Sequence, residues 1–231
     1  QRLCLKIPHR AFCFSRLVAR RLREEGYRGE PTVLEGEYTG PLQRGSQSTP
    51  EPVIVFAGRF IPEKRIETLI PAIARARRSL PDLRGALYGD GPERGRVQAF
   101  VTAEGMQDTI RVPGFVPSEE IDQALSSAMC MALPSRREGY GMIVVEAASH
   151  GTPSVVVAAP DNAAVELIKE GVNGVIAATA EPEDLAAAIL RVYEAGDALR
   201  RSTAEWFAAN VRRLSIGSSL DVVARAYDGH Q

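Results

Sequence analysis

The sequence predicts an α/β fold, a doubly wound, Rossmann-like parallel sheet with helical segments at its ends. Two observations carry that reading. From Val53 onward, short β-branched runs alternate with longer stretches of helical periodicity, the pattern of a parallel sheet wrapped by helices. At 231 residues, 45% hydrophobic and 25% charged, the chain has the size and composition of one α/β domain with an appendage, enough to bury a proper core.

Taken in order, residues 1–30 read as the end of another unit. Arg16, Arg20, Arg21 and Arg23 interleave with Phe12, Phe14, Leu17, Val18 and Leu22, spacing that suits a short amphipathic helix ending near Gly26. Gly36, Pro41, Gly45, Ser46, Ser48, Thr49, Pro50 and Pro52 then have the composition of a linker. They divide the chain into residues 1–50 and 51–231. Strands are expected over 53–57, 85–88, 110–112, 130–133, 154–157 and 174–177. Helices are expected over 65–79, 92–104, 118–127, 142–150, 163–169 and 182–195. Beyond Gly196, Trp206, Phe207 and Val211 predict further helices. Sheets of this kind bind ligands outside the carboxyl ends of their strands, so the loops after the strands are where chemistry is expected.

A formal net charge of −1 gives no global attraction to nucleic acid or acidic membrane, so a partner must be recognised locally. Cys4, Cys13 and Cys130 are odd in number and lack metal-type spacing. They argue against a disulfide framework or zinc site and make a reducing cytoplasm the default compartment. No apolar stretch reaches the roughly 18 residues of a spanning helix, and no signal pattern opens the chain. The basic, aromatic stretch 1–23 has two readings: a surface that packs against a neighbouring unit, or a peripheral contact with the inner face of an anionic membrane.

The loop after the first strand runs Gly58, Arg59, Phe60, Ile61, Pro62, Glu63, Lys64 and presents two cations at the sheet edge. A planar guanidinium and a point-charge ammonium suit two linked phosphates; a solvated loop is the plainer alternative. The stretch 134–153 says more. A loop with Glu138, Gly139, Tyr140 and Gly141 leads into a helix bearing Glu146, and Gly151, Thr152 and Pro153 stop it. Glycines before a helix let a ligand approach the backbone, and first-turn amides favour a phosphate. Glu146, among Val144, Val145, Ala147 and Ala148, is expected to be largely buried and to need donors. A ribose diol supplies two, and a neighbouring loop is the alternative. Glu138 suits hydroxyls of a sugar further along the same ligand, or an ion pair with Arg136 or Arg137.

The loop from Gly58 to Lys64, the turn Gly89, Asp90, Gly91, Pro92, and the two glutamates eight apart around Gly139, Tyr140 and Gly141 stand in order, with Gly151, Thr152 and Pro153 following. Together they resemble the donor domain of family 4 glycosyltransferases over about residues 53–195. The resemblance implies a GT-B fold of two facing domains, of which this chain is the donor-binding half with a remnant of the acceptor domain in residues 1–50. It implies transfer of a sugar from a nucleoside diphosphate donor, UDP or GDP type, with retention of configuration and without an obligatory metal or other cofactor. Carried over by position, Arg59 and Lys64 hold the diphosphate and stabilise it as it leaves. Glu138 contacts the donor sugar, Glu146 the ribose, and the backbone of Gly58, Gly139, Tyr140, Gly141 and Met142 completes the contacts. Gly114, Phe115, Val116 and Pro117 resemble the stretch that cradles the base, with Val116 at its centre.

Two departures stand out. The resemblance calls for an acceptor domain of similar size and a histidine within it, but about 50 residues precede Val53, and the chain opens on Gln1. It also calls for a glycine pair where Asp161, Asn162, Ala163 and Ala164 stand before Glu166. His150, His230, Cys130 and Ser135 read as structural. The acceptor stays open, as do two other functions: a nucleotide-sugar epimerase or phosphorylase of the same architecture, and a nucleotide-binding module paired with a separate acceptor subunit.

Overall fold

A computed structural model of the chain describes residues 9–42 and 49–228; Cys4, Gly45, Ser46, Ser48 and His230 lie outside them. The first segment carries β1 (Phe12–Cys13), α1 (Arg16–Glu24) and β2 (Thr32–Val33), with β1 and β2 parallel. Ser15 starts α1 by accepting the Val18 amide at 3.2 Å, the ordinary way a serine satisfies a free first-turn donor.

The rest alternates as the sequence predicts. Its elements are β3 (Glu51–Ala57), α2 (Leu69–Ala76), β4 (Arg84–Tyr88), α3 (Arg94–Ala103), β5 (Ile110–Gly114), α4 (Ser118–Ser127), β6 (Ala128–Leu133), β7 (Arg137–Glu138), α5 (Met142–Ser149), β8 (Ser154–Val157), β9 (Asp161–Asn162), β10 (Gly174–Ala177), α6 (Pro182–Leu214) and α7 (Ile216–Asp228). Strands β10, β8, β6, β3, β4 and β5 lie in that order in one parallel sheet. Ile54, Val55 and Phe56 are fully buried on β3, as are Val155, Val156 and Val157 on β8. Helices cover both faces of a parallel sheet, which is why its strands read as unbroken apolar runs. The order reverses between β3 and β6, so the chain leaves these two neighbours in opposite directions and opens a crevice beyond their carboxyl ends.

Two expected helices differ. Residues 65–79 do not form one helix: 3-10 turns at Pro62–Lys64 and Ile66–Thr68 precede α2. Arg65 between them is left-handed, at φ 48° and ψ 40°, and Pro71 has no amide for an interior helical bond. Residues 163–169 form a 3-10 turn at Ala163–Leu167, started by the Asn162 side chain, which accepts the Ala164 amide at 3.1 Å. The α6 helix bends at Gly196 (φ 51°, ψ −141°), where the sequence breaks the periodicity. No helix among the described residues is long and apolar enough to cross a membrane.

Candidate functional site

Both loops flanking the crevice carry residues singled out from the sequence. After β3, the Gly58 amide donates to the Tyr88 carbonyl (3.1 Å) and Phe60 to that of Asp90 (2.8 Å), while Glu93 donates back to Phe60 (3.0 Å). The Gly89–Pro92 turn therefore braces the loop that presents Arg59. Gly89 sits at φ +130°, and a Cβ there would collide with the Gly58 carbonyl oxygen; only glycine lets the two loops approach so closely. Arg59 itself is exposed and makes no ion pair among the described residues.

Lys64 and Glu138 form an ion pair, each side chain only 15% exposed. The sequence reading gives Glu138 a partner in Arg136 or Arg137; the partner is Lys64, brought across the crevice from the other loop. Two further bonds join these loops. The Arg136 amide donates to the Glu63 carbonyl (2.8 Å), and Arg65 Nε donates to that of Pro134 (3.0 Å). A shielded ion pair is costly to break from one side, because the remaining charge is left unpaired away from water.

Behind Glu138 the chain turns through Gly139, Tyr140 and Gly141 into α5. Gly141 is the residue before the helix, left-handed at φ 101°, and no side chain caps the first turn. A Cβ on Gly141 would lie 2.6 Å from that of Ala164. The Val144 amide turns back to the Gly141 carbonyl (2.9 Å); the first amides of a helix otherwise lack intrahelical acceptors, and the helix dipole adds partial positive charge there. Met142, 38% exposed, opens the helix, and Glu146 follows one turn later. Val144, Val145, Ala147 and Ala148 are buried, and Glu146 is mostly covered but not fully buried; its face of α5 is the one that Met142 occupies four residues earlier.

Tyr140 reaches the site through its backbone alone. Its ring turns into the first segment, where the hydroxyl donates to the Glu35 carbonyl (2.8 Å) and the ring meets Phe14 edge-on at 6.1 Å. Burial pushes its hydroxyl pKa up to about 12. Val116 lies farther off, beyond the end of the edge strand β5, packed partly on the core, while Phe115 beside it is 85% exposed. The neighbouring β9 loop is occupied by structural work. Asp161 pairs with Arg21, Asn162 Nδ2 donates to the carbonyls of Ser135 (3.1 Å) and Val157 (2.9 Å), and the Glu166 carboxylate accepts the Arg16 (2.9 Å) and Leu17 (2.8 Å) amides at the start of α1.

Sequence reasoning missed Arg65 and Glu37. Burial, and then the charge of Glu138, raise the Glu37 carboxyl above the ordinary carboxylate range. Nothing in the polar run 36–52 marks Glu37 as a neighbour of the site. His150 is buried with Nε2 3.3 Å from Asp122 on α4, Ser135 is buried behind the loop, and fully buried Cys130 has its thiol pushed up to about 12 by desolvation. A cleft of about 440 Å³ opens at the opposite, amino-terminal edge of the sheet, lined by Pro50, Leu80, Met129 and Tyr193, far from these charges; the cations, the uncapped helix and the crevice coincide at the carboxyl edge.

The family described as "Glycosyl transferases group 1" matches residues 42–207. A D-inositol 3-phosphate glycosyltransferase from Nocardioides sp. is 33% identical over 193 residues, covering 75% of this chain and 42% of that protein. An alpha-D-kanosaminyltransferase from Streptomyces kanamyceticus is 27% identical, covering 76% and 45%. The chain thus spans about half the length of such relatives. Among solved structures, Anabaena HepE in complex with UDP and glucose superposes with a TM-score of 0.85 at 20% identity, over 98% of this chain and 65% of that one. The pneumococcal O-GlcNAc transferase GtfA, in complex with UDP and GlcNAc, gives 0.78 at 20%, over 95% and 45%.

Proposed function

The chain belongs to the group 1 glycosyl transferases, and on that premise we propose that it binds a nucleoside diphosphate sugar at the β3–β6 crevice and transfers the glycosyl group to a hydroxyl acceptor. The observation that carries this reading is the convergence of Arg59, Lys64 and the uncapped start of α5 on one crevice, beside Glu138. Arg59 and Lys64 take the two phosphates, with the Gly58, Gly139, Tyr140, Gly141 and Met142 backbone around them. Glu138 binds hydroxyls of the donor sugar, Glu146 the ribose diol, and the backbone at Val116 the base.

Charge develops on the β-phosphate oxygen as its bond to the anomeric carbon breaks. Fixed cations and amide dipoles lower the energy of that charge without reorganising. We read the enzyme as a family 4, retaining transferase that needs no metal or other cofactor. The acceptor oxygen bonds to the anomeric carbon on the face the phosphate leaves, and the acceptor proton passes to the departing phosphate oxygen. UDP is the first nucleotide to try, since HepE and GtfA were solved with it; GDP follows.

Residues 51–231 form the donor-binding domain in this reading, and residues 1–50 belong to an acceptor-binding unit and its linker. The pair β1 and β2 supports the division: parallel strands are normally part of larger, covered sheets, and a pair of two-residue strands is too small to stand alone. Reaction at a cytoplasmic membrane face, through the basic stretch 1–23, is a further expectation of the same reading.

Calorimetric titration of the chain with UDP, GDP and ADP, alongside Arg59→Ala and Glu146→Ala, tests the donor site. One nucleotide should bind, and each variant should weaken it by roughly tenfold, as expected for losing a charge-assisted bond. Equal binding by parent and both variants would remove the site from this crevice.

A further inference from the structure

Arg65 breaks three local rules at once. It is the sole non-glycine residue with positive φ among the described residues, at φ 48° and ψ 40°. One of its guanidinium nitrogens, Nη2, is buried with no hydrogen-bond partner. Burial, and next the charge of Arg136, depress its pKa. Each of these disfavours the folded state, and glycine at this position would avoid them all. Strained and unsatisfied residues of this kind cluster where function fixes them.

The surrounding geometry says what it does. Arg65 directly follows Lys64, and its Nε bonds the Pro134 carbonyl at 3.0 Å, at the start of the loop that carries Glu138. One residue pair away, the Arg136 amide bonds the Glu63 carbonyl at 2.8 Å. The β3 and β6 loops are thus laced together by Glu63–Arg136, Lys64–Glu138 and Arg65–Pro134 across the crevice.

We propose that Arg65 is a positioning residue for the diphosphate: its guanidinium, strapped to Pro134, fixes the spacing of the two loops so that Lys64 and the start of α5 meet one pyrophosphate together. Left-handed backbone at residue 65 turns the chain so that Lys64 and Arg65 can both face the second loop. A diphosphate spans both loops, whereas a monophosphate engages one. The inference rests on the reading of this crevice as a diphosphate site.

Arg65→Gly separates positioning from stability, because it relieves the backbone and deletes the guanidinium together. In the full chain, its thermal midpoint should equal or exceed the parent's, while its affinity for UDP falls roughly tenfold or more. UMP binding should change less than twofold by the same reasoning. Arg65→Lys, keeping charge without the fork, should recover only part of the UDP affinity. Hydrogen exchange without nucleotide provides a second readout: the Arg136 amide should exchange at least roughly tenfold faster in Arg65→Gly, with the β3 amides unchanged. Unaltered UDP affinity, or unaltered Arg136 exchange, overturns the proposal. A fall in midpoint that tracks the affinity loss also overturns it, making Arg65 structural. Failure of the parent to bind any nucleoside diphosphate instead overturns the donor-site reading, and exchange at Arg136 still decides whether Arg65 holds the loops.

Discussion

Replacing Glu138 with glutamine removes the charge that holds Lys64 while leaving a side chain of nearly the same shape. Lys64 is then free for phosphate, so Glu138→Gln is expected to bind a nucleoside diphosphate at least as tightly as the parent. Turnover with the sugar conjugate should fall by roughly a hundredfold, since the hydroxyl contacts that strengthen in the transition state are lost. Weaker binding of the bare diphosphate in this variant would mean that the ion pair builds the site instead of competing for it. Glu37 supplies a second test at this scale. A carboxyl raised in the folded state holds its proton more tightly there than in the unfolded chain. Its stabilising contribution is present at low pH and is lost as pH rises through the folded pKa. Glu37→Gln should therefore raise the thermal midpoint at pH 7, and its advantage over the parent should shrink as pH falls through the raised folded pKa to the ordinary carboxylate range, where both states are protonated. A constant difference across that range would mean that charge on Glu37 is not the cause. The loop positions of Arg59, Lys64 and Glu138 were legible because each follows a short apolar strand, and Glu146 stood out as a carboxylate among apolar helix residues. Arg65 was not, since a left-handed backbone under an arginine leaves no trace in composition.

Among the elements, α5 depends on how it begins. Gly141→Ala forces a side chain into left-handed backbone and against Ala164, 2.6 Å from the new Cβ. Unfolding in urea should show a loss of about 2 kcal/mol, and nucleotide affinity should fall with the displaced first turn. A loss below about 0.5 kcal/mol would mean that the turn adapts freely. The sheet was readable in sequence because burial on both faces turns each strand into a short apolar run, as in Val155, Val156 and Val157 on β8. The pairs Phe12–Cys13 with Thr32–Val33 and Arg137–Glu138 with Asp161–Asn162 were not readable. Two residues carry no periodicity, and their pairing is decided by elements distant in the chain. The stretch 65–79 misled for a related reason: its apolar spacing is helical, but Arg65 and Pro71 postpone the helix.

At the scale of the molecule, the first segment is fastened to the last helices. The Tyr38 amide donates to the Leu214 carbonyl (3.0 Å), Ile216 donates to that of Tyr38 (2.9 Å), and Ser219 Oγ both accepts the Gly36 amide (3.2 Å) and donates to its carbonyl (2.6 Å). Ser219 is almost fully buried, so Ser219→Ala strands two backbone groups of Gly36 and should cost about 2 kcal/mol. Amides of α1 should then exchange faster while β3 keeps its protection; uniform acceleration would place the loss in the whole fold instead. None of this fastening was legible, because its bonds run through backbone groups and one serine of segments far apart in the chain, Gly36 and Ser219 being 183 residues apart. That separation has a consequence for biosynthesis. At about 5–20 residues per second, roughly 10–40 s pass between the making of Gly36 and of Ser219. For most of that interval the earlier segment waits with the helix that will hold it still unmade.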